Sequence, residues 1–183
     1  MPEEFIIRHC APTLAGIKVG NLFSYPACCM QDTIRALAHW NNQLRHKGVR
    51  FVLLGCRNSR VLILAYRESF LAKALADSEN CLYLSRLGYP CNHVAQSLSI
   101  LRGRVEAAKE FPHEIGIFLG YPLADVKAFI ENKGCNSVCC GCWKAYTDGD
   151  AAAETFQKFQ KCVKIYRRCH ANGADLNRLT VTA

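Results

Sequence analysis

Apolar residues recur at helical spacing along much of this chain and run without a break over a few short stretches. Met30, Ile34, Leu37 and Leu44 predict a helix from about Tyr25 to His46, with Ser24 as N-cap, Pro26 in the first turn and Gly48 as the stop. Glu68–Ala76 and Ser78–Leu87 read as two short helices, ended by the Gly88-Tyr89-Pro90 break. Val94, Leu98, Leu101, Val105 and Ala108 form an amphipathic stripe on a helix that Asn92 can cap and that ends before Pro112. Pro122 opens a helix over Leu123–Lys133 with Val126, Phe129 and Ile130 facing inward. Asp148-Gly149-Asp150 turns into a last helix, Ala151–Ala171, with Phe156, Phe159, Val163 and Tyr166 on its apolar face and a short tail after Asn172-Gly173.

The period-2 and continuous apolar runs predict strands. Val49–Cys56 and Arg60–Tyr66 form a hairpin around Arg57-Asn58-Ser59. The second strand, Val-Leu-Ile-Leu-Ala-Tyr, is apolar throughout, as expected of a central strand covered on both faces. Glu114–Leu119 reads as a third strand and Cys139–Tyr146 as a fourth. Residues 1–27 read as irregular, because Pro12 and Gly16 interrupt them. The predicted fold is a single α+β domain over residues 1–183, a small, mostly antiparallel sheet of about four strands packed with helices.

Composition narrows the classes. Half the residues are hydrophobic, enough for a packed core. A net charge of +8 suits an anionic partner such as a small molecule, a nucleic acid, an acidic protein or a membrane surface, although the basic residues are scattered. No apolar run is long enough to cross a membrane. The start, Met-Pro-Glu-Glu, is acidic and lacks the pattern of a signal peptide, which predicts a cytoplasmic protein. In that compartment the 12 cysteines are expected to stay reduced, as core fillers, metal ligands or reactive thiols.

Several motifs resemble one family. Phe111-Pro-His-Glu-Ile-Gly-Ile-Phe-Leu-Gly-Tyr-Pro, continuing to Gly134, is similar to the central motif of the bacterial domain-of-unknown-function 3793 family. His9-Cys-Ala-Pro-Thr-Leu-Ala-Gly-Ile-Lys18, Asn21-Leu-Phe, Leu64-Ala-Tyr-Arg67 and Cys140-Gly-Cys-Trp-Lys-Ala-Tyr146 resemble other parts of it, with Ala145 where the family usually has Val. The final helix fits as well, so the resemblance covers nearly the whole chain. It implies a bacterial, clostridial-type cytosolic protein and carries over no catalytic residue.

Three constellations could carry chemistry. A cysteine nucleophile needs a depressed pKa and a base, and Cys10 or Cys28 with His113 could supply both. The stretch after His113 resembles the His-x-Gly-Ile-Tyr-Leu-Gly segment of papain-like cell-wall peptidases, although their Asp-Cys-Ser-Gly is absent here. A thiolate metal or iron–sulfur site could use Cys140 and Cys142, with Cys135 and Cys139 nearby, but Cys-x3-Cys-Cys-x-Cys is neither a zinc-ribbon nor a ferredoxin spacing. Finally, Lys18, Arg67 and Lys144, with Arg8, sit beside Tyr121 and Trp143 at strand ends and turns, where cations bind phosphates or carboxylates. The leading expectation is binding of a small anionic ligand or cofactor of unknown identity where the 10–18 motif meets His113–Tyr121. The alternatives are a cysteine-dependent enzyme or a metal protein.

Overall fold

The computed structural model describes residues 1–26, 29–107 and 110–182. Its elements run α1 (Glu3–Leu14), β1 (Gly20–Pro26), α2 (Met30–Leu44), β2 (Val49–Arg57), β3 (Arg60–Arg67), α3 (Glu68–Ala76), α4 (Ser78–Arg86) and α5 (Val94–Ala107). After these come α6 (Ile115–Phe118), α7 (Leu123–Glu131), β4 (Cys139–Cys140), β5 (Lys144–Ala145), α8 (Gly149–Ala171) and α9 (Leu176–Leu179). The fold is α+β. Its main sheet has three antiparallel strands in the order β1-β3-β2, and β4-β5 form a separate two-stranded ribbon.

The hairpin is as the sequence predicts. Asn58 and Ser59 both take positive φ, the backbone of a tight two-residue turn whose twist matches that of the strands. β3 is central, and alternation sends its side chains to opposite faces. Val61, Ile63 and Ala65 join Phe23, Val49 and Phe51 in a core shared with α1, α2 and α9. Leu62, Leu64 and Tyr66 join Leu22 and Leu54 in a second core under α3–α7. A bulge between Leu53 and Gly55 shifts the β2–β3 register near the turn.

Residues 1–26, the described part of the stretch expected to be irregular, form a helix and a strand. Ile6, Ile7, Cys10, Ala11 and Leu14 are wholly buried on one stripe of α1, which is sandwiched between the sheet and α8. Pro12 removes one helical N–H, a loss of about 3 kcal/mol in an unsupported helix, but burial of that stripe outweighs it. Gly16, at φ +69°, ends the helix by letting the Ile17 N–H return to the Pro12 carbonyl at 3.0 Å. The segment that follows pairs with β3 as β1, so Tyr25 and Pro26 belong to a strand and α2 starts only at Met30. Thr33, Leu37 and Leu44 are the buried face of α2, whereas Met30 and Ile34 are exposed.

The third predicted strand, 114–119, is a single helical turn. Its apolar residues are buried all round, and such a run looks the same for a strand or a buried turn. The backbone is satisfied locally, with the N–H groups of Ile117, Leu119 and Gly120 bonding to the carbonyls of Glu114, Ile115 and Ile117. The fourth, 139–146, is instead the β4-β5 ribbon, broken at Gly141–Trp143 where the Gly141 N–H bonds to the Trp143 carbonyl. On α7 Val126 is buried but Ile130 is exposed. The tail contains α9. Cys81 and Cys91 form a disulfide, Cα–Cα 5.0 Å, against the expectation that every thiol stays reduced. Among the described residues no helix is long and apolar enough to cross a membrane.

Candidate functional site

Gly120 takes φ +78° and lies so close to Val19 that a Cβ there would stand 2.6 Å from the valine Cγ2. The end of the N-terminal motif therefore packs directly on the Tyr121 turn. Across this junction, α8 closes one wall of an open groove of about 530 Å³. Arg8 and His9 of α1, Lys18, and Lys164 and Arg167 of α8 line it, and among the described residues no acidic side chain does.

Lys18 stands out among these. The side chain as a whole is only 7% exposed, and its Nζ, which opens on the groove, makes no hydrogen bond or ion pair among the described residues. The ammonium lies 5.1 Å from the ring centre of Tyr121 and 5.7 Å from that of Phe159, so two π faces partly replace lost water. Burial pulls its pKa below the usual lysine value, and the thiols of Cys142 and Cys10 oppose that shift. His9 beside it is also held below its usual value, first by burial and then by Arg8. A largely buried lysine whose ammonium opens on a basic groove without a protein acceptor fits an anion that supplies the missing charge.

Behind Tyr121 lies a second cavity, an apolar slot of about 340 Å³. Leu22, Tyr121 and Cys142 line both spaces. The Tyr121 ring stacks on Trp143 with centroids 5.1 Å apart, and its hydroxyl donates to the Cys142 carbonyl at 2.8 Å. The loop carrying Cys142 is held by Asp125, a buried carboxylate with four donors. These are Trp143 Nε1 at 2.8 Å, the N–H groups of Tyr146 and Thr147 at 2.8 and 3.2 Å, and Thr147 Oγ1 at 3.0 Å. Gly141 leaves no room for a Cβ, because the Phe156 ring fills that place.

The residues singled out from the sequence part company here. Lys18 and Tyr121 meet in the groove, while His113, Lys144, Cys140 and Cys142 line the slot with Tyr121. Lys144 is engaged, its Nζ donating to the Gly134 carbonyl at 2.6 Å. Arg67 lines neither space. It is fully buried and donates to the carbonyls of Thr13, Leu14, Val181 and Lys47, at 2.6, 2.6, 2.7 and 3.4 Å. It thus holds the C-terminal end of α1 and the tail together and has no donor set aimed at a ligand.

Cys10 is not poised as a nucleophile. It sits wholly inside the core between α1 and the sheet, and burial pushes its thiol pKa far up. His113 is exposed, its ring 4.9 Å from that of Phe129, and no hydrogen bond joins it to a thiol among the described residues. Cys28, the other expected nucleophile, lies outside the described residues. Cys140 and Cys142 are exposed, and no three His, Cys, Asp or Glu side chains converge as a metal set among the described residues. The contribution of α8 was missed, although Lys158, Lys161, Lys164 and Arg167 recur at helical spacing and were open to reading as a basic stripe.

A family model described as a protein of unknown function (DUF3793) matches residues 6–180, a span that includes every side chain of the groove and the slot. No curated protein and no solved structure matches the chain.

Proposed function

The chain belongs to the DUF3793 family, and from its groove we propose that it binds a small anionic ligand, a phosphate or carboxylate compound held by Lys18. The observation that carries this reading is Lys18, a side chain 7% exposed whose ammonium opens on a groove and has neither a protein acceptor nor an acidic neighbour in that groove among the described residues. Arg8, Lys164 and Arg167 supply further charge around it, where guanidinium groups can grip an oxyanion with two donors at once. Holding a lysine stem and ammonium this far from bulk water without an acidic partner costs stability, and proteins tolerate such costs where function requires them. Tyr121 and Phe159 hold the ammonium without neutralising it. The protein acts in this reading as a receptor for the anion, in the bacterial cytosol. Nine free cysteines among the described residues, five of them exposed, support a reducing compartment, against the one disulfide.

Thermal unfolding with phosphate, pyrophosphate and citrate tests the reading. A ligand present at 100 times its Kd adds about 2.7 kcal/mol, or roughly 5–10 °C in Tm for a chain of this size. At least one of these anions is expected to raise the Tm of the wild type and to leave that of Lys18→Met unmoved. Equal shifts in both proteins, or none in either, would count against the groove.

A further inference from the structure

We infer that the anion is amphipathic, with its charged end at Lys18 and an apolar tail or ring in the slot behind Tyr121. The inference rests on the reading of the groove as an anion site. Two adjoining spaces of opposite character carry it. The groove offers cations and, among the described residues, no carboxylate. The slot is walled by Phe111, Ile115, Leu119, Val126 and Phe129, and its size lies within the roughly 300–1,000 Å³ of small-molecule sites.

The polar groups around the slot are largely engaged within the protein. Asp125 holds the Trp143–Thr147 backbone and side chains, and Lys144 holds the Gly134 carbonyl. What remains for an occupant is mostly apolar surface. Leu22, Tyr121 and Cys142 line both spaces, so a molecule seated in both would lie against Cys142, an exposed free cysteine. Inorganic phosphate would fill only the charged half, and each methylene placed in the slot should tighten binding about fourfold.

Calorimetric titration of the full chain with hexyl phosphate and with inorganic phosphate tests this, beside alkylation of Cys142 followed by mass spectrometry. Hexyl phosphate is expected to bind at least tenfold more tightly. It should slow alkylation of Cys142 while Cys56, exposed near the far end of β2, still reacts at its usual rate. Phe111→Ser trims the slot at a residue that is already 42% exposed, so the fold should survive. That variant should lose most of the preference for hexyl phosphate and keep its affinity for phosphate. Equal affinity for the two phosphates would overturn the amphipathic ligand and leave the groove reading standing. A preference that survives Phe111→Ser, or that leaves Cys142 unprotected, would overturn it as well. Binding of neither compound would overturn the amphipathic ligand, and the groove reading would then stand or fall on its own thermal test with pyrophosphate and citrate.

Discussion

Arg67 donates to four carbonyls and Lys18 to none, although both cations are buried. The two substitutions therefore have opposite consequences for stability. Arg67→Met strands carbonyls at the end of α1 and in the tail, and should cost about 3 kcal/mol or more, at 1–3 kcal/mol for each buried group left unpaired. Arg67→Lys should recover little, because one ammonium cannot span the separate acceptors that the planar fork reaches. Lys18→Met removes a largely buried lysine that has no acidic partner, and a gain of roughly 0.5 kcal/mol or more is expected. Urea unfolding of the three variants checks these signs, and a loss of stability in Lys18→Met would show that the ammonium is satisfied in the fold. From the sequence the two residues looked alike, each a cation in or beside a family motif. The acceptors of Arg67 come from residues 13, 14, 47 and 181, too far apart in the chain for any local pattern to reveal.

The elements that were legible are those with a long period or a diagnostic turn. α3, α4, α5, α7 and α8 follow 3.6-residue stripes, and the β2–β3 hairpin follows its apolar runs. α1 was hidden because Pro12 and Gly16 read as breakers, while its buried stripe lay in plain view at Ile6, Ile7, Cys10, Ala11 and Leu14. The 114–119 turn and the β4-β5 ribbon were misread because short apolar runs carry no period of their own. Asp125 carries no signal in its local sequence, because its place as an anchor depends on donors 18 to 22 residues away. Asp125→Asn replaces a carboxylate oxygen with an amide NH2, which meets donors where acceptors are needed. A loss of about 2–3 kcal/mol is expected. Trp143 fluorescence should shift under conditions where the rest of the fold, followed by circular dichroism, stays intact. An unchanged emission and midpoint would mean that the ribbon is held by other contacts.

At the scale of the molecule, a net charge of +8 becomes specific through packing. The sequence shows scattered cations. The fold brings Arg8 on α1, Lys18 before β1, and Lys164 and Arg167 on α8 to one groove, because α1 lies between the sheet and α8. That gathering has a signed pH consequence. Burial lowers the folded pKa of Lys18 below the ordinary 10.5, so this group makes the free protein more stable as pH rises from the lowered value toward 10.5. Anion binding needs the charged form, so affinity is present below the lowered pKa and is lost as pH rises through it. A bound anion in turn favours the charged form and raises that pKa. The most direct test is an NMR pH titration of the lysine side chains, with the Lys18 signal assigned by its loss in Lys18→Met, in the presence and absence of pyrophosphate. Lys18 should titrate below the ordinary lysine value in the free protein and move upward when pyrophosphate is added. An ordinary lysine titration for Lys18, or one that pyrophosphate leaves unchanged, would contradict the account.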